Sequence, residues 1–382
     1  MVRFFPKDLA QHWQNSEDLI QVIIGPRQVG KTTAILNLAE QGHSYYVSAD
    51  SPTSPTAELI IQEWKKAKEK LPKKGVFIFD EIQKIPRWSE AIKKIWDERI
   101  RNGGKQDFWI LGSSALLLEK GLSESLTGRF ELNHFPHWTF GEVEKVFRAN
   151  LEDYVYWGGY PKIYSLKDDE ERANDYLQNS IIETTLGRDI LSLHSIDKPA
   201  LLRQLFWYIS RLPAQMVSFE KILGVLQGKG NSATLVHYAE LLKLAFVIVP
   251  IYKFSRKTHR TRKSIPKWII PNPALVDVSI KEERLKNFTF ENLVGSHLLN
   301  ITFGKNEYEL QYWNENGKEI DFILCKRGVP LWAFEVKSGR SKKVISSETL
   351  REIGIKCPYL LINQINIEKF LKINQEKDFA RI

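Results

Sequence analysis

The sequence predicts an α/β chain in which a parallel sheet is followed by a helical segment and then a small α/β domain. Three observations carry this. Apolar runs of strand length alternate with helix-like runs through about residue 135, the pattern of parallel strands joined by crossover helices. Residues 76–79 are apolar without a break, as in a strand covered on both faces. Beyond about residue 283, a helical stretch precedes three extended runs separated by turn-like residues, which reads as hairpins.

Composition sets the outer bounds. A chain of 382 residues can fill more than one core, and we expect domains at 1–150, 151–282 and 283–382. Hydrophobic and charged fractions of 43% and 26% fit a soluble globular protein rather than a fibrous or disordered one. The net charge of +9 permits an anionic polymer as partner without establishing one. Cys325 and Cys357 lack metal-like spacing, so a reduced, cytoplasmic setting is expected. His134 and His137 sit among proline and aromatic residues without an acidic ligand pattern and read as structural. Residues 1–6 are too short and polar for a signal peptide, and no apolar segment approaches the length of a membrane span.

The first strand, around Ile20 to Ile24, runs into Gly25, Pro26, Arg27, Gln28, Val29, Gly30, Lys31, Thr32 and Thr33, and a helix follows. This is the P-loop spacing G-x-x-x-x-G-K-[ST] in its strand–loop–helix context. Glycines let backbone N–H groups approach phosphate oxygens, and a helix start adds unpaired donors. Lys31 is expected to reach the β- and γ-phosphates, and Thr32 to hold Mg²⁺. A second strand covers residues 45–48, and a helix presents Leu59, Ile60, Trp64 and Ala67 on one face. The strand at 76–79 ends in Asp80 and Glu81, at the edge where open α/β sheets place ligands. Asp80 suits the magnesium shell and Glu81 the attacking water.

The next helix carries Trp88, Ala91, Ile92, Ile95, Trp96 and Ile100 as a core face. A strand at 108–111 leads to Ser113 and Ser114, which suit a γ-phosphate contact or an ordinary helix cap. Arg129 offers a phosphate finger or a salt-bridge partner. No N-K-x-D signature for guanine is present, so ATP is the expected nucleotide. The motifs at 25–33, 80–83 (Asp-Glu-Ile-Gln), 111–115 (Leu-Gly-Ser-Ser-Ala) and 126–129 (Leu-Thr-Gly-Arg) together resemble a family of prokaryotic AAA-type ATPases. In that family the ATPase is fused to a C-terminal domain of largely unassigned function. The resemblance continues through Gly158 to Pro161, Arg188 to Ile190, Phe290 to Asn292, Glu319 to Phe322 and Phe334 to Gly339. Family members commonly carry Thr where Leu111 stands, which argues against a sensor role there. Arg188 could face a neighbouring nucleotide, but a place on a helix surface is the stronger reading.

From Ser218 the pattern is helix, turn and helix, with Ser218 and Ser232 as expected caps. Strand-like runs at 247–251 and 268–270 complete a winged-helix pattern. Between them lie Lys253, Arg256, Lys257, His259, Arg260, Arg262, Lys263 and Lys267, with no acid. Arg256, Lys257, Arg260, Arg262 and Lys263 are the expected contacts to DNA phosphates, on a wing tip that grips regardless of sequence.

In the last domain Asp321 stands on one expected strand, and Glu335 and Lys337 share a face of the next. With Glu291 on the preceding helix, they form an expected metal site resembling PD-(D/E)XK nuclease-like domains. A buried ion-pair network is the plainer reading. Altogether the sequence reads as a cytoplasmic, Mg²⁺-dependent ATPase, possible as a homo-oligomer and coupled to DNA. An ATP-gated nuclease and a nucleotide-switched scaffold that binds protein are the alternatives. No second ATPase-like lobe follows residue 150, which argues against a two-lobed helicase.

Overall fold

The computed structural model describes residues 13, 19–40, 42–50, 55–72, 74–112, 122, 125–191, 196–226, 230–255, 264–277, 279, 288–339, 350 and 354–382. The side chains of Arg188 and Phe288 lie outside that description. The chain divides into two units, residues 1–136 and 137–382.

The first unit is a sheet of five parallel strands. In chain order these are β1 (Ile20–Ile24), β2 (Ser44–Ser48), β3 (Val76–Asp80), β4 (Asp107–Gly112) and β5 (Phe130–His134). Helices α1 (Lys31–Ala39), α2 (Ala57–Lys70) and α3 (Trp88–Arg101) connect them. Their order across the sheet is β2-β3-β4-β1-β5, so β4 separates the strand leading into the glycine-rich loop from the strand ending in Asp80. The three central strands are buried throughout, which explains their unbroken apolar runs. Trp64 of α2 and Trp96 of α3 meet Phe108 with ring centroids 4.7 and 5.4 Å apart. That aromatic packing fixes both helices on the sheet.

Strand β5 was not expected. It alternates Phe130, Glu131, Leu132, Asn133 and His134 at a half-buried edge, and such mixed polarity resembles a loop in sequence. Its pairing sets Phe130 beside Ile20 and His134 beside Ile24.

The second unit begins with α4 (Phe140–Phe147) and α5 (Leu151–Trp157), each started by a reciprocal capping box at Thr139 and Asn150. Next come α6 (Glu170–Asp175), wide helical turns at Tyr176–Ile182 and Thr185–Ile190, and α7 (Pro199–Ser210). Helix α8 (Phe219–Val225) is capped by Ser218, as expected, whereas α9 (Ser232–Leu244) is capped by Asn231 rather than Ser232. The Asn231 carboxamide accepts from the Thr234 N–H at 2.8 Å.

Strands β6 (Val249–Lys253) and β7 (Lys267–Ile269) pair antiparallel, as the wing pattern predicts. They do not stand alone. The remaining elements are α10 (Phe288–Ile301), β8 (Tyr308–Glu315), β9 (Lys318–Lys326), β10 (Val329–Lys337), β11 (Tyr359–Asn363) and α11 (Ile367–Leu371). Strand β6 pairs parallel with β8 through Tyr252 and Lys253, and the sheet runs β11-β10-β9-β8-β6-β7. Residues expected to form separate middle and final domains thus share one sheet. Buried amides link further segments of this unit. Asn272 accepts from the Gly159 N–H at 3.0 Å, and Asn300 accepts from the His137 N–H at 3.1 Å. Asn292 clamps Ile270, accepting from its N–H at 2.8 Å and donating to its carbonyl at 3.1 Å. Among the described residues, no helix is long and apolar enough to cross a membrane.

Candidate functional site

The loop between β1 and α1 has the backbone its glycines predict. Gly30, at φ +87°, starts α1, and Gln28 also adopts positive φ. A Cβ on Gly25 would lie 2.1 Å from the Phe135 carbonyl oxygen, so this close crossing under β5 requires glycine. Lys31 is buried, and its ammonium folds back over the loop, donating to the carbonyls of Gly25 at 2.9 Å and Pro26 at 2.6 Å.

The Thr32 hydroxyl donates to Asp80 Oδ2 at 2.6 Å. The end of β3 is thereby brought to the start of α1, although β4 lies between β1 and β3. The second carboxylate oxygen of Asp80 accepts from the Glu81 N–H at 2.9 Å. Glu81 itself adopts φ +52°, a strained conformation for a non-glycine residue. Its carboxylate accepts from Gln83 at 2.9 Å and lies 3.7 Å from the Lys84 ammonium. Lys84 also pairs with Asp50 at 2.8 Å. The Glu81 side chain is therefore aimed by a turn and by two neighbours.

Tyr46 belongs to no motif in the sequence, yet it reaches the site. Alternation along β2 sends Tyr45 toward Glu63 and Tyr46 toward Asp80. Tyr46 donates to Asp80 Oδ2 at 2.9 Å. Burial and the Asp80 charge push its phenol pKa up, so it remains a donor across the physiological range. The signal was the Tyr-Tyr pair on a strand neighbouring β3, but only the register, which places Ser48 beside Asp80, turns it into a contact.

Arg129 lies elsewhere. It precedes β5, and its carbonyl accepts from the Ile20 N–H at 2.8 Å. It therefore stands at the starting edge of the parallel sheet, opposite the edge carrying the loop. Its guanidinium lies 3.4 Å from Asp97 on α3. Arg129 does not reach its own chain's loop. Ser113 and Ser114 lie outside the described residues, as do Arg256, Lys257, Arg260, Arg262 and Lys263. Of the other basic residues in that run, Lys253 pairs with Glu315 at 2.7 Å.

Lys267 departs most from expectation. Counted in sequence with an exposed basic run, it is 1% exposed. Its ammonium lies 2.5 Å from Glu291, 3.2 Å from Glu319 and 3.8 Å from Asp321. Asp321 also accepts from the Val336 N–H at 2.7 Å. The three acids have carboxylate oxygens within 4.8 Å of one another, and Glu319 is an acid that nothing in the sequence singled out for this cluster. Glu335, close enough for its charge to act on Asp321, pairs with Lys337 at 2.5 Å and accepts from Tyr359 at 3.0 Å. Burial opposes the charge on Lys267, but the three carboxylates outweigh it and raise the ammonium's pKa. Burial pushes the carboxyls of Glu291 and Asp321 up, against the pull of the Lys267 ammonium, which favours their charged forms.

Three families match successive parts of the chain. Residues 17–144 match an AAA domain, 148–284 a domain of unknown function (DUF8612), and 286–375 another (DUF4143). No curated protein matches the sequence. Among solved structures, the Walker-type ATPase paby2304 of Pyrococcus abyssi is 13% identical, with 72% of this chain and 94% of that one covered, at TM-score 0.47. The Aeropyrum pernix ORC1 protein in complex with DNA is 13% identical, with 74% and 91% covered, at TM-score 0.30. The Thermotoga maritima RuvB Holliday junction branch migration motor is 17% identical, with 64% and 87% covered, at TM-score 0.32. These overlaps are loose and support no residue assignment. The family match and the loop–strand geometry fall on the same part of the chain: residues 17–144 match an AAA domain and carry the P-loop between β1 and α1.

Proposed function

We propose that the chain hydrolyses ATP with Mg²⁺ and couples turnover to DNA. The observation that carries this is the 2.6 Å contact from Thr32 to Asp80, which joins the loop to the two acids ending β3. A hydroxyl and a carboxylate are hard oxygen donors of the kind Mg²⁺ takes, so Thr32 and Asp80 fit that ion. Bound there, the ion supplies positive charge to the phosphate oxygens.

The protein's own part follows from its side chains. Loop N–H groups and the α1 N-terminus cradle the phosphates. Lys31 exchanges the Gly25 and Pro26 carbonyls for β- and γ-phosphate oxygens, a stronger charge-assisted pairing. Glu81, held by Gln83 and Lys84, orients water for in-line attack on the γ-phosphorus. The new P–O bond forms as the bond to the β-phosphate bridging oxygen breaks. Arg129, at the far edge of its own sheet, fits a finger reaching the nucleotide of a second copy in a homo-oligomer.

The acid-free run carrying Arg256, Lys257, Arg260, Arg262 and Lys263 supports a winged-helix contact with DNA phosphates. Each neutralised phosphate steepens the salt dependence of binding by roughly one log unit per log unit of salt. Replacing all five with alanine is expected to abolish DNA-stimulated ATP turnover and flatten that dependence. Affinity for DNA that is absent even at low salt in the native chain would favour the protein-binding switch instead. For the final region, Asp321 on β9 and Glu335 with Lys337 on adjacent β10, beside Glu291, support a PD-(D/E)XK nuclease-like scaffold.

A further inference from the structure

The pocket formed by Glu291, Glu319 and Asp321 already contains a cation. Lys267 delivers its ammonium from β7, a three-residue strand at the sheet edge. Three contacts fix that strand. Lys267 pairs with Ile251 of β6, bridges to Met216, and lies three residues before Ile270, whose backbone Asn292 clamps from α10. The ammonium also donates to the Asp321 carbonyl at 3.4 Å and lies 5.6 and 5.3 Å from the ring centroids of Tyr312 and Phe322. The lysine itself is almost fully buried there.

A divalent ion taking these carboxylates needs oxygen distances of about 2.0–2.6 Å. It would therefore sit inside the same group of oxygens that already surrounds Nζ. Two cations cannot share that position, and the buried setting strengthens their repulsion. The lysine is covalently part of the chain, so it cannot be diluted or chelated away.

We propose that Lys267 is the resident cation of this pocket and excludes divalent metal from it. The final region of the native chain then carries no metal-dependent phosphodiester chemistry at Glu291, Glu319 and Asp321, and the pocket takes up a divalent ion only when the lysine is removed. This deepens the nuclease-like reading of the last region and is independent of ATP hydrolysis in the first.

The test is Mn²⁺ binding to the full chain without nucleotide, followed by the electron paramagnetic resonance signal of free Mn²⁺. Lys267→Met is expected to bind one Mn²⁺ per chain more than the native protein, and adding Asp321→Asn is expected to remove that equivalent. Equal binding by native and folded Lys267→Met chains would overturn the proposal. Where Lys267→Met does not fold, Glu319→Gln at the half-exposed rim decides. The native chain and this variant are expected to bind equal Mn²⁺, and loss of one equivalent in the variant would show that the native pocket holds metal. Failure of ATP hydrolysis would leave all these outcomes unchanged.

Discussion

Two buried lysines in this chain do opposite things. Lys31 sits in a glycine-bounded loop and donates to carbonyls of that same loop. Lys267 sits at a sheet edge and faces three carboxylates from α10 and β9. Neutral carbonyls are weak competitors for an ammonium when a phosphate arrives, whereas carboxylates are strong ones. The first arrangement is poised to exchange partners; the second is already satisfied. Burial of a lysine beside acids is therefore not in itself a sign of a ligand site, and the chemistry of the partners decides.

The largest effect should come from disturbing the satisfied pocket. Lys267→Met leaves buried carboxylates without their counterion, a loss that typically costs about 3–5 kcal/mol. Denaturant unfolding of the second unit measures it. Replacing Lys267 and Glu291 together with Met and Leu should cost less than Lys267→Met alone, because fewer charges remain stranded. A double variant as unstable as the single would break the contrast.

The poised lysine should show the reverse profile. Lys31→Met is expected to lower kcat by about 10²–10³-fold, the usual loss of one preorganised electrostatic group. Its unfolding free energy should move by less than that of Lys267→Met. Steady-state phosphate release and denaturant titration together check both halves.

A smaller effect tests how firmly the second unit keeps charge out of its apolar interior. His297 on α10 packs edge-on against Phe370, with ring centroids 5.0 Å apart, and burial pushes its imidazole pKa down to about 4. A depressed histidine stabilises the fold above its unfolded value of about 6.5 and loses that contribution as pH falls toward 4. The loss amounts to about 3 kcal/mol for a shift of this size. Melting temperatures of the native chain and His297→Phe should therefore diverge between pH 6.5 and 4, with the variant less acid-sensitive. Parallel curves would contradict the burial argument.

The same contrast explains what could be read in advance. The chemistry of the loop lies within consecutive residues, and glycine positions, a strand before and a helix after are local signals. Asp80 and Glu81 were legible because a doubly buried strand announces itself and its end is where ligands sit. Lys267 was not legible. Its meaning depends on β7 joining the edge of a sheet and on Glu319, which lies 52 residues away. In sequence it only prolongs a basic run. The place of Arg129 in the sheet was not legible either, because its distance from the loop follows from the pairing of β5 with β1 and not from neighbouring residues. The extended runs of the last region were read correctly as hairpins, but nothing in their alternation says that β6 continues the same sheet.

The central claim is that the first unit turns over ATP through Glu81. The most direct test compares Glu81→Gln with the native chain for Mg²⁺-ATP affinity by calorimetry and for phosphate release. The amide preserves size and keeps an oxygen that can accept a hydrogen bond, but it is a far weaker base, so affinity should be retained while turnover falls by about 10²-fold or more. Native-rate hydrolysis by Glu81→Gln would contradict the account.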